Sequence, residues 1–387
     1  MARKQEFYKG RRKRRNYALI PFAILLALIA LVVVLFYSMQ KYAVISKEGV
    51  TMVLPGDEPA ENTVVDSSGN EIRVFDKVDA ELIFDPPDYS RVEAVAGRDA
   101  KPMRAIFIGA EDINTDRLME MAARLNSGNA LLLEMKPRAG ALVWNSQSVL
   151  AQRYGLYYQS ALEMDMAKMI QDLRDYADEH DKTIHLAAQI SCCVDDLLPV
   201  RTTNYTLRTE AGFDYRDDNG TYLDPYSADV RNYIVELCRE LYALGFDEVV
   251  LADVMHPVPI GNDGNSRFMY SAEMSTTPSP VNAVCGFALY VANQLEDEKG
   301  LLSIYLDSAR ALVGPDETTG QNGVLFSKVY DRIYYRTDKW TYTYNLQDME
   351  GTITIGTLTD RLVPVVINYL PENSSWVYIE KLAETDS

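Results

Sequence analysis

Along most of the chain, short apolar runs alternate with longer stretches in which apolar positions recur at helical spacing. The runs are "RAIFIG" (104–109), "NALLLEMK" (129–136), "TIHLAAQI" (183–190), "EVVLADV" (248–254), "LLSIYLD" (301–307), "DRIYYRT" (331–337), "RLVPVVIN" (361–368) and "SWVYIE" (375–380). Short runs rich in β-branched and aromatic residues predict strands. Between them, "TDRLMEMAARLNSG" (115–128) places Leu118, Met119, Ala122 and Leu125 on one helical stripe, with Gly128 as a stop. "MDMAKMIQDLRDYADEHD" (164–181) does the same with Met166, Met169, Ile170, Leu173 and Tyr176. The clearest helix lies in "DPYSADVRNYIVELCRELYALGFDE" (224–248), where Val230, Tyr233, Ile234, Leu237, Cys238 and Leu241 form a stripe. Asp224 or Ser227 can cap its start, Pro225 suits a first helical position, and Gly245 ends it.

Strands alternating with helices pair in parallel through crossovers. Eight of them in residues 101–387 predict an α/β fold, a (β/α)8 TIM barrel. Only a few residues separate the seventh and eighth runs, so either the last crossover lacks a helix or the strand count is one off.

The first hundred residues are different. "RKQEFYKGRRKRR" (3–15) carries eight basic residues and one acid, and residues 17–39 then run without a charge. As a helix this span would be roughly 34 Å long, enough to cross the hydrocarbon core of a bilayer. It is too long for the apolar core of a cleaved signal peptide, and no small-x-small cleavage site follows. It is expected to be a single transmembrane signal anchor. The basic block before it places residues 1–16 in the cytoplasm. Everything beyond the span is then extracytoplasmic, at the cell membrane. Residues 40–100, rich in turn formers, read as a stalk with short strands.

The formal charge of −18 sharpens this division. Residues 1–41 contribute nine basic residues and one acid, a net +8, so the remainder carries −26. A domain that acidic is not expected to bind nucleic acid, whose phosphates require a basic face. The four cysteines (Cys192, Cys193, Cys238 and Cys285) show no C-x-x-C spacing, so zinc is not expected; they read as buried thiols, with one disulfide open as an alternative.

A (β/α)8 barrel takes its chemistry from the C-terminal ends of its strands. Asp247 and Glu248 begin their strand and are assigned to stability. Asp253 and His256 lie at the other end of that strand, as do Glu134 and Lys136 on the second, Gln189 on the third, Asp307 on the fifth and Asn368 on the seventh. Hydrolysis of a glycosidic bond needs two carboxyl groups, one to protonate the leaving oxygen and one to attack or activate water. Glu134, Asp253 and Asp307 can supply them. Trp144, Tyr222 and Trp376 can stack on sugar faces, while His256, Lys136, Gln189 and Asn368 supply polar contacts. No metal or cofactor is expected, because no glycine-rich phosphate loop, H-E-x-x-H or EF-hand spacing is present. "GNDGNSR" (261–267) reads as a turn.

Residues 222–257, "YLDPYSADVRNYIVELCRELYALGFDEVVLADVMHP", resemble the W-x-x-P-Y, helix, G-F-D-E-I and D-Y-V-R-F-P series of the family described as "putative glycosyl hydrolase domain", an alpha-amylase-type TIM barrel. "RAIFIGAEDI", "NALLLEMKPRAGALVWNS", "GQNGVLFSKVYDRIYY" and "SSWVYIE" extend the resemblance over residues 101–380. There are departures. In an ungapped comparison the family aspartate of D-Y-V-R-F-P falls on Ala252, with Asp253 one place later; its arginine falls on Met255 and its aromatic on His256. One place in a strand turns a side chain to the other face, although a bulge or turn at the strand end can restore its aim. Glu134 keeps a carboxylate at the family's second-strand aspartate, and Lys136 matches its lysine.

Two readings follow. One is a membrane-anchored glycoside hydrolase acting on cell-wall or extracellular polysaccharide, which requires two carboxyl groups about 5–10 Å apart. The other is a non-catalytic barrel that binds glycan or a protein partner, which predicts carboxylates pinned by lysine or arginine. A third, a transporter or receptor subunit, finds only one membrane span to support it.

Overall fold

The computed structural model describes residues 43–46, 49–52, 63–65, 71–73, 101–257, 268–270, 279–308, 310–312, 314–336, 361–367 and 375–380. The chain forms two compact units, Met1–Ile83 and Phe84–Ser387. In the first, Ala43–Ser46 pairs antiparallel with Gly49–Met52, and Thr63–Val65 with Glu71–Arg73. The expected membrane span, residues 17–39, lies outside the described residues. No helix among the described residues is long and apolar enough to cross a membrane.

The second unit is a closed barrel of eight parallel strands: β1 (Arg104–Ile108), β2 (Ala130–Lys136), β3 (His185–Ser191), β4 (Glu248–Ala252), β5 (Leu301–Leu306), β6 (Ile333–Arg336), β7 (Leu362–Ile367) and β8 (Trp376–Ile379). Each strand pairs with its neighbours in sequence, and β8 closes onto β1. All eight expected runs are strands of this barrel. Its interior is filled by alternate positions, among them Ala105, Leu132, Ala187, Val250, Tyr334, Val365 and Val377. The intervening positions pack outward against the helices in a larger core, which is why the runs are apolar on both faces. The helices include α1 (Thr115–Arg124), α2 (Met166–Glu179), α3 (Ala228–Leu244), α4 (Pro280–Gln294) and α5 (Gly323–Val329).

α3 buries the whole stripe read from its sequence. Its start differs from expectation. Ser227 is the cap, accepting the Val230 N–H, and Pro225 lies outside the helix. Asp224 instead accepts the Tyr226 N–H, turning the chain before the helix begins. α1 stops at Arg124 rather than near Gly128, because Leu125 leaves helical geometry to fill the core. All four cysteines are free and buried.

At the N-terminal end of the barrel, Glu248 is fully buried. It accepts hydrogen bonds from Ser303 Oγ (2.6 Å) and the Tyr334 hydroxyl (2.8 Å), lies 2.8 Å from His185 Nε2, and is ion-paired to Arg332. Burial raises its pKa, but Arg332 and His185 more than offset that and hold it at about 2. Asp247 binds Arg174 at 2.7 Å and accepts the Leu186 N–H. Both acids therefore serve the stability of the barrel floor.

At the C-terminal end, the segment between β3 and α3 forms a small cap together with residues that follow β4. Arg208–Thr209 pairs with Phe268–Met269, Arg216–Asp217 with Gly220–Thr221, and Val194, Leu207, Tyr215, Tyr222, Met255 and Phe268 make its core.

Candidate functional site

The strand register decides which side chains enter the C-terminal mouth. Glu134 pairs with Gln189 and Gln189 with Val250, an interior residue, so both polar side chains face inward. A register shift follows Glu134, and Lys136 pairs with Ile190, an outward-facing residue. Lys136 is fully buried beneath the cap, 2.8 Å from Asp195 Oδ2 and donating to the Ser191 carbonyl at 2.9 Å.

On β4 the inward position at the mouth is Ala252, and alternation alone would turn Asp253 outward. It does not, because Asp253 has φ +52°, in the left-handed region. Aspartate tolerates this conformation better than most residues. The carboxylate meets Arg138, from the loop after β2: Nε donates to Oδ1 at 2.9 Å and Nη2 at 2.5 Å. Arg138 Nη1 also donates to Asn219 Oδ1 at 3.1 Å, and Nη2 lies 3.8 Å from Asp307 Oδ1. Those two Nη2 contacts end to end bound the separation of Asp253 Oδ1 and Asp307 Oδ1 at 6.3 Å.

Asp307, just beyond β5, is raised to about 7, first by burial and then by the charge of Asp253, against the opposing pull of Arg138 and Gln321. Glu134 is also raised, by burial and by Asp253, although its Oε2 accepts the Ala110 N–H at 3.2 Å. The arrangement offers one carboxyl group that keeps its proton near neutrality beside one paired with a cation. That is the division of labour acid–base chemistry on a glycosidic bond requires.

The structure thus brings Glu134, Asp253, Asp307 and Gln189 to one mouth. It places the other candidates differently. Trp144 is buried and donates through Nε1 to Glu240 of α3 at 2.8 Å, fixing the loop after β2 to that helix. Tyr222 is buried, its hydroxyl donating to Asp217 at 3.0 Å. His256 is buried with Nδ1 2.8 Å from the Pro257 carbonyl and Nε2 2.9 Å from the Tyr270 hydroxyl; burial lowers its pKa to about 4. These three hold the cap and loops in place and present no face to a ligand. Trp376 lies in β8, part-buried. Asn368 and the 261–267 turn lie outside the described residues. Among the described residues no group of three or more His, Cys, Asp or Glu is placed to hold a metal ion.

Two functional residues were missed in the sequence. Arg138 stands two places beyond Lys136 in an ordinary loop, and Gln321 is remote from both aspartates in the chain. Gln321 is fully buried and donates to Asp307 Oδ2 at 2.9 Å. A cavity of about 1020 Å³ opens at the opposite, N-terminal end of the barrel, lined by Arg174, His185, Asp247 and Arg332 among others. Those four are tied into the floor by ion pairs. The paired carboxyl groups lie at the other end.

Residues 105–336, more than half of the chain, match the family described as "Putative glycosyl hydrolase domain". Among solved structures, the chain is similar to a hypothetical protein from Ruminiclostridium thermocellum (21% identity, 51% of this chain and 96% of that one, TM-score 0.41). It is similar to the PgaB (BpsB) glycoside hydrolase domain from Bordetella bronchiseptica (11% identity, 72% and 94%, TM-score 0.48). It is also similar to an alpha-galactosidase from Lactobacillus brevis (12% identity, 74% and 38%, TM-score 0.45), of which it spans less than half. No curated protein matches the chain.

Proposed function

The chain belongs to the family described as "Putative glycosyl hydrolase domain", and from that premise we propose that it hydrolyses cell-wall or extracellular polysaccharide with Asp307 as general acid and Asp253 as nucleophile. The observation that carries this reading is the mouth pair, Asp307 raised to about 7 beside the ion-paired Asp253. Asp307 gives its proton to the leaving glycosidic oxygen as the bond from C1 to that oxygen breaks. Asp253 forms the new bond to C1. Water then attacks C1, Asp307 takes a proton from that water, and the bond to Asp253 breaks, returning both groups to their starting states. The 6.3 Å bound on one pair of oxygens keeps the two carboxyl groups close enough to face a single glycosidic bond. Glu134 is the third carboxyl group and the alternative acid.

The reading includes location. Residues 17–39 anchor the chain in the cell membrane as a single span, with the basic tail in the cytoplasm and the barrel on the extracytoplasmic side. The uncharged 23-residue run, the +8 of residues 1–41 and the −26 of the remainder support this.

One observation favours a second reading, a non-catalytic barrel that binds glycan or protein. Asp253 is nearly buried and pinned by Arg138, as that reading predicts. The deciding experiment incubates the full chain with purified cell-wall material and a panel of polysaccharides and follows reducing-end release, with Asp253→Asn, Asp307→Asn and Glu134→Gln alongside. Release abolished by the two aspartate substitutions supports the hydrolase. Retention on insoluble glycan without release supports the binding module. Neither release nor retention removes the glycan assignment.

A further inference from the structure

We infer that Gln321 is the positioning residue that decides which oxygen of Asp307 carries the acid proton. The inference rests on the hydrolase reading for its consequence, and on hydrogen-bond geometry for its substance. Gln321 is fully buried in the loop between β5 and α5. Its Oε1 accepts the Asp307 backbone N–H at 2.8 Å. Its Nε2 faces three acceptors: the Val254 carbonyl at 3.1 Å, the Tyr305 carbonyl at 3.1 Å and Asp307 Oδ2 at 2.9 Å.

This pattern leaves the amide one orientation. Turned over, Oε1 would face three acceptors and Nε2 would face an N–H, losing every bond in a site without solvent. Two of the partners are backbone carbonyls, which cannot change their character, so the backbone just after β4 and that of β5 fix the amide and the amide fixes the acid. A carboxylic acid whose Oδ2 receives an N–H carries its proton on Oδ1. Asp307 Oδ1 is the oxygen turned toward Arg138 Nη2 at 3.8 Å and thus toward Asp253. The proton is thereby held on the side where the scissile bond has to lie. The same amide links Val254, the residue after Asp253, to Asp307, so one buried group spans the two strand ends whose separation the reaction depends on.

The loop that presents Gln321 is itself fixed. Thr319 O accepts the His256 N–H at 2.8 Å, Gly320 N–H donates to Asp316 O at 2.7 Å, and Gln321 O accepts the Asp316 N–H at 2.8 Å. Gly320 sits at φ +75°, where an added Cβ would lie 2.4 Å from the Pro280 carbonyl oxygen.

The charged and titratable groups around Asp307 are Asp253 from β4, Arg138 from the loop after β2, and Tyr305 below on β5, with Arg336 of β6 acting on Tyr305. Asp253 favours the protonated acid; Arg138 and Gln321 favour the carboxylate. Removing the Gln321 donor therefore raises the pKa of Asp307 while releasing its orientation. The signature is a fall in kcat with little change in KM, and an alkaline limb of the pH profile that moves upward. A glutamine that only stabilises the loop would lower the yield of folded protein and leave the limb where it was.

The test uses the full chain, labelled with 13C at the aspartate carboxyl carbons, with Asp307→Asn identifying the resonance. Wild-type Asp307 should titrate near 7, and the Gln321 side-chain amide signals should shift through the same titration, a measurement that needs no substitution at 321. In Gln321→Met the Asp307 titration should rise by about one unit, and in Gln321→Glu further, because a second carboxyl group joins it. Glycan release in Gln321→Met should fall with its alkaline limb displaced by the same amount. An unmoved Asp307 titration in folded Gln321→Met, or Gln321 amide signals silent through the wild-type titration, would overturn the inference. If the titration moves but wild-type protein releases no sugar, the positioning stands and the hydrolase reading falls; if sugar is released and the titration does not move, the reverse holds.

Discussion

Two groups near the mouth, part-buried Asp307 and buried His256, titrate against each other, and separating them tests the electrostatics on which the site depends. Asp307 is raised from 3.8 to about 7, by burial and then by Asp253, and His256 is lowered from 6.5 to about 4 by burial. At pH values between His256's folded and unfolded pKa values, native Asp307 holds a proton that its unfolded counterpart has lost. Over the same range native His256 lacks a proton that its unfolded counterpart binds. The stability from Asp307 therefore falls as pH rises, and that from His256 grows. Each one-proton difference is worth about 1.4 kcal/mol per pH unit. In the wild type the two slopes oppose each other and largely cancel. In Asp307→Asn only the His256 slope remains, so the variant gains stability with rising pH. In His256→Gln only the Asp307 slope remains, and the variant loses stability with rising pH. Between about pH 5 and about pH 6 the two variants should diverge by about 2 kcal/mol, allowing for incomplete titration at the edges. The assay is urea unfolding of all three proteins at intervals across that range. Comparing slopes removes any fixed cost of either substitution, and every group common to both variants drops out of their difference. Parallel lines for the two variants would refute the reasoning, because then neither group's proton affinity changes on folding as its burial and neighbours require.

Three further outcomes are expected. Arg332→Met leaves Glu248 buried with its principal cation gone and should cost about 3–5 kcal/mol in urea unfolding, with much of it recovered when Glu248→Gln is added. Gly320→Ala forces a left-handed residue with its Cβ against the Pro280 carbonyl. It should destabilise by about 2 kcal/mol or more, read from the same unfolding curves. Trp144→Phe removes the bond to Glu240 and should lower stability by about 1–2 kcal/mol while leaving glycan retention on an insoluble panel unchanged, since Trp144 presents no face to the mouth.

The barrel was legible in the sequence because a parallel strand buried on both faces is a continuous apolar run, and eight such runs survived as eight strands with no end displaced by more than two positions. At two of the ends that moved, a side chain explains it. β4 stops at Ala252 because Asp253 turns into the left-handed region, and β6 starts at Ile333 after Asp331 and Arg332, whose side chains serve the floor: Asp331 Oδ2 accepts the Leu302 N–H and Arg332 binds Glu248. The three carboxyl groups were legible because strand ends can be read from strands. Their partners were not. Arg138 and Gln321 reach Asp253 and Asp307 from loops across the mouth, and neither local pattern nor propensity reports which loop folds over which strand end. Two aromatic candidates are placed elsewhere for a related reason: composition predicts that Trp144 and Tyr222 pack somewhere, while only the tertiary cores, that of the barrel and helices for Trp144 and that of the cap for Tyr222, decide that they face inward.

Arg138 is the point on which both readings of this site turn. Its side chain is 43% exposed while that of Asp253 is 7% exposed, so solvent reaches the guanidinium and hardly reaches the acid. For hydrolysis, a sugar ring must displace or slide beside that guanidinium to bring C1 within reach of Asp253. The half-exposed cation makes that displacement feasible, because a partly hydrated ion pair is held far less tightly than a buried one. Arg138 also donates to Asn219 of the cap. A movement of Arg138 is therefore coupled to the 208–223 segment that roofs the mouth. A fixed pin would make Arg138 a structural tie and the barrel a binding module; a cation that leaves Asp253 when glycan arrives would make it the device that keeps the nucleophile covered until substrate is present. The two differ in what Arg138→Gln does. Under the first, glycan retention falls and no release appears. Under the second, retention persists and release falls only in part. Under both, the Asp307 titration rises because the cation that lowered it is gone, so that rise checks the substitution and the retention and release decide between the readings.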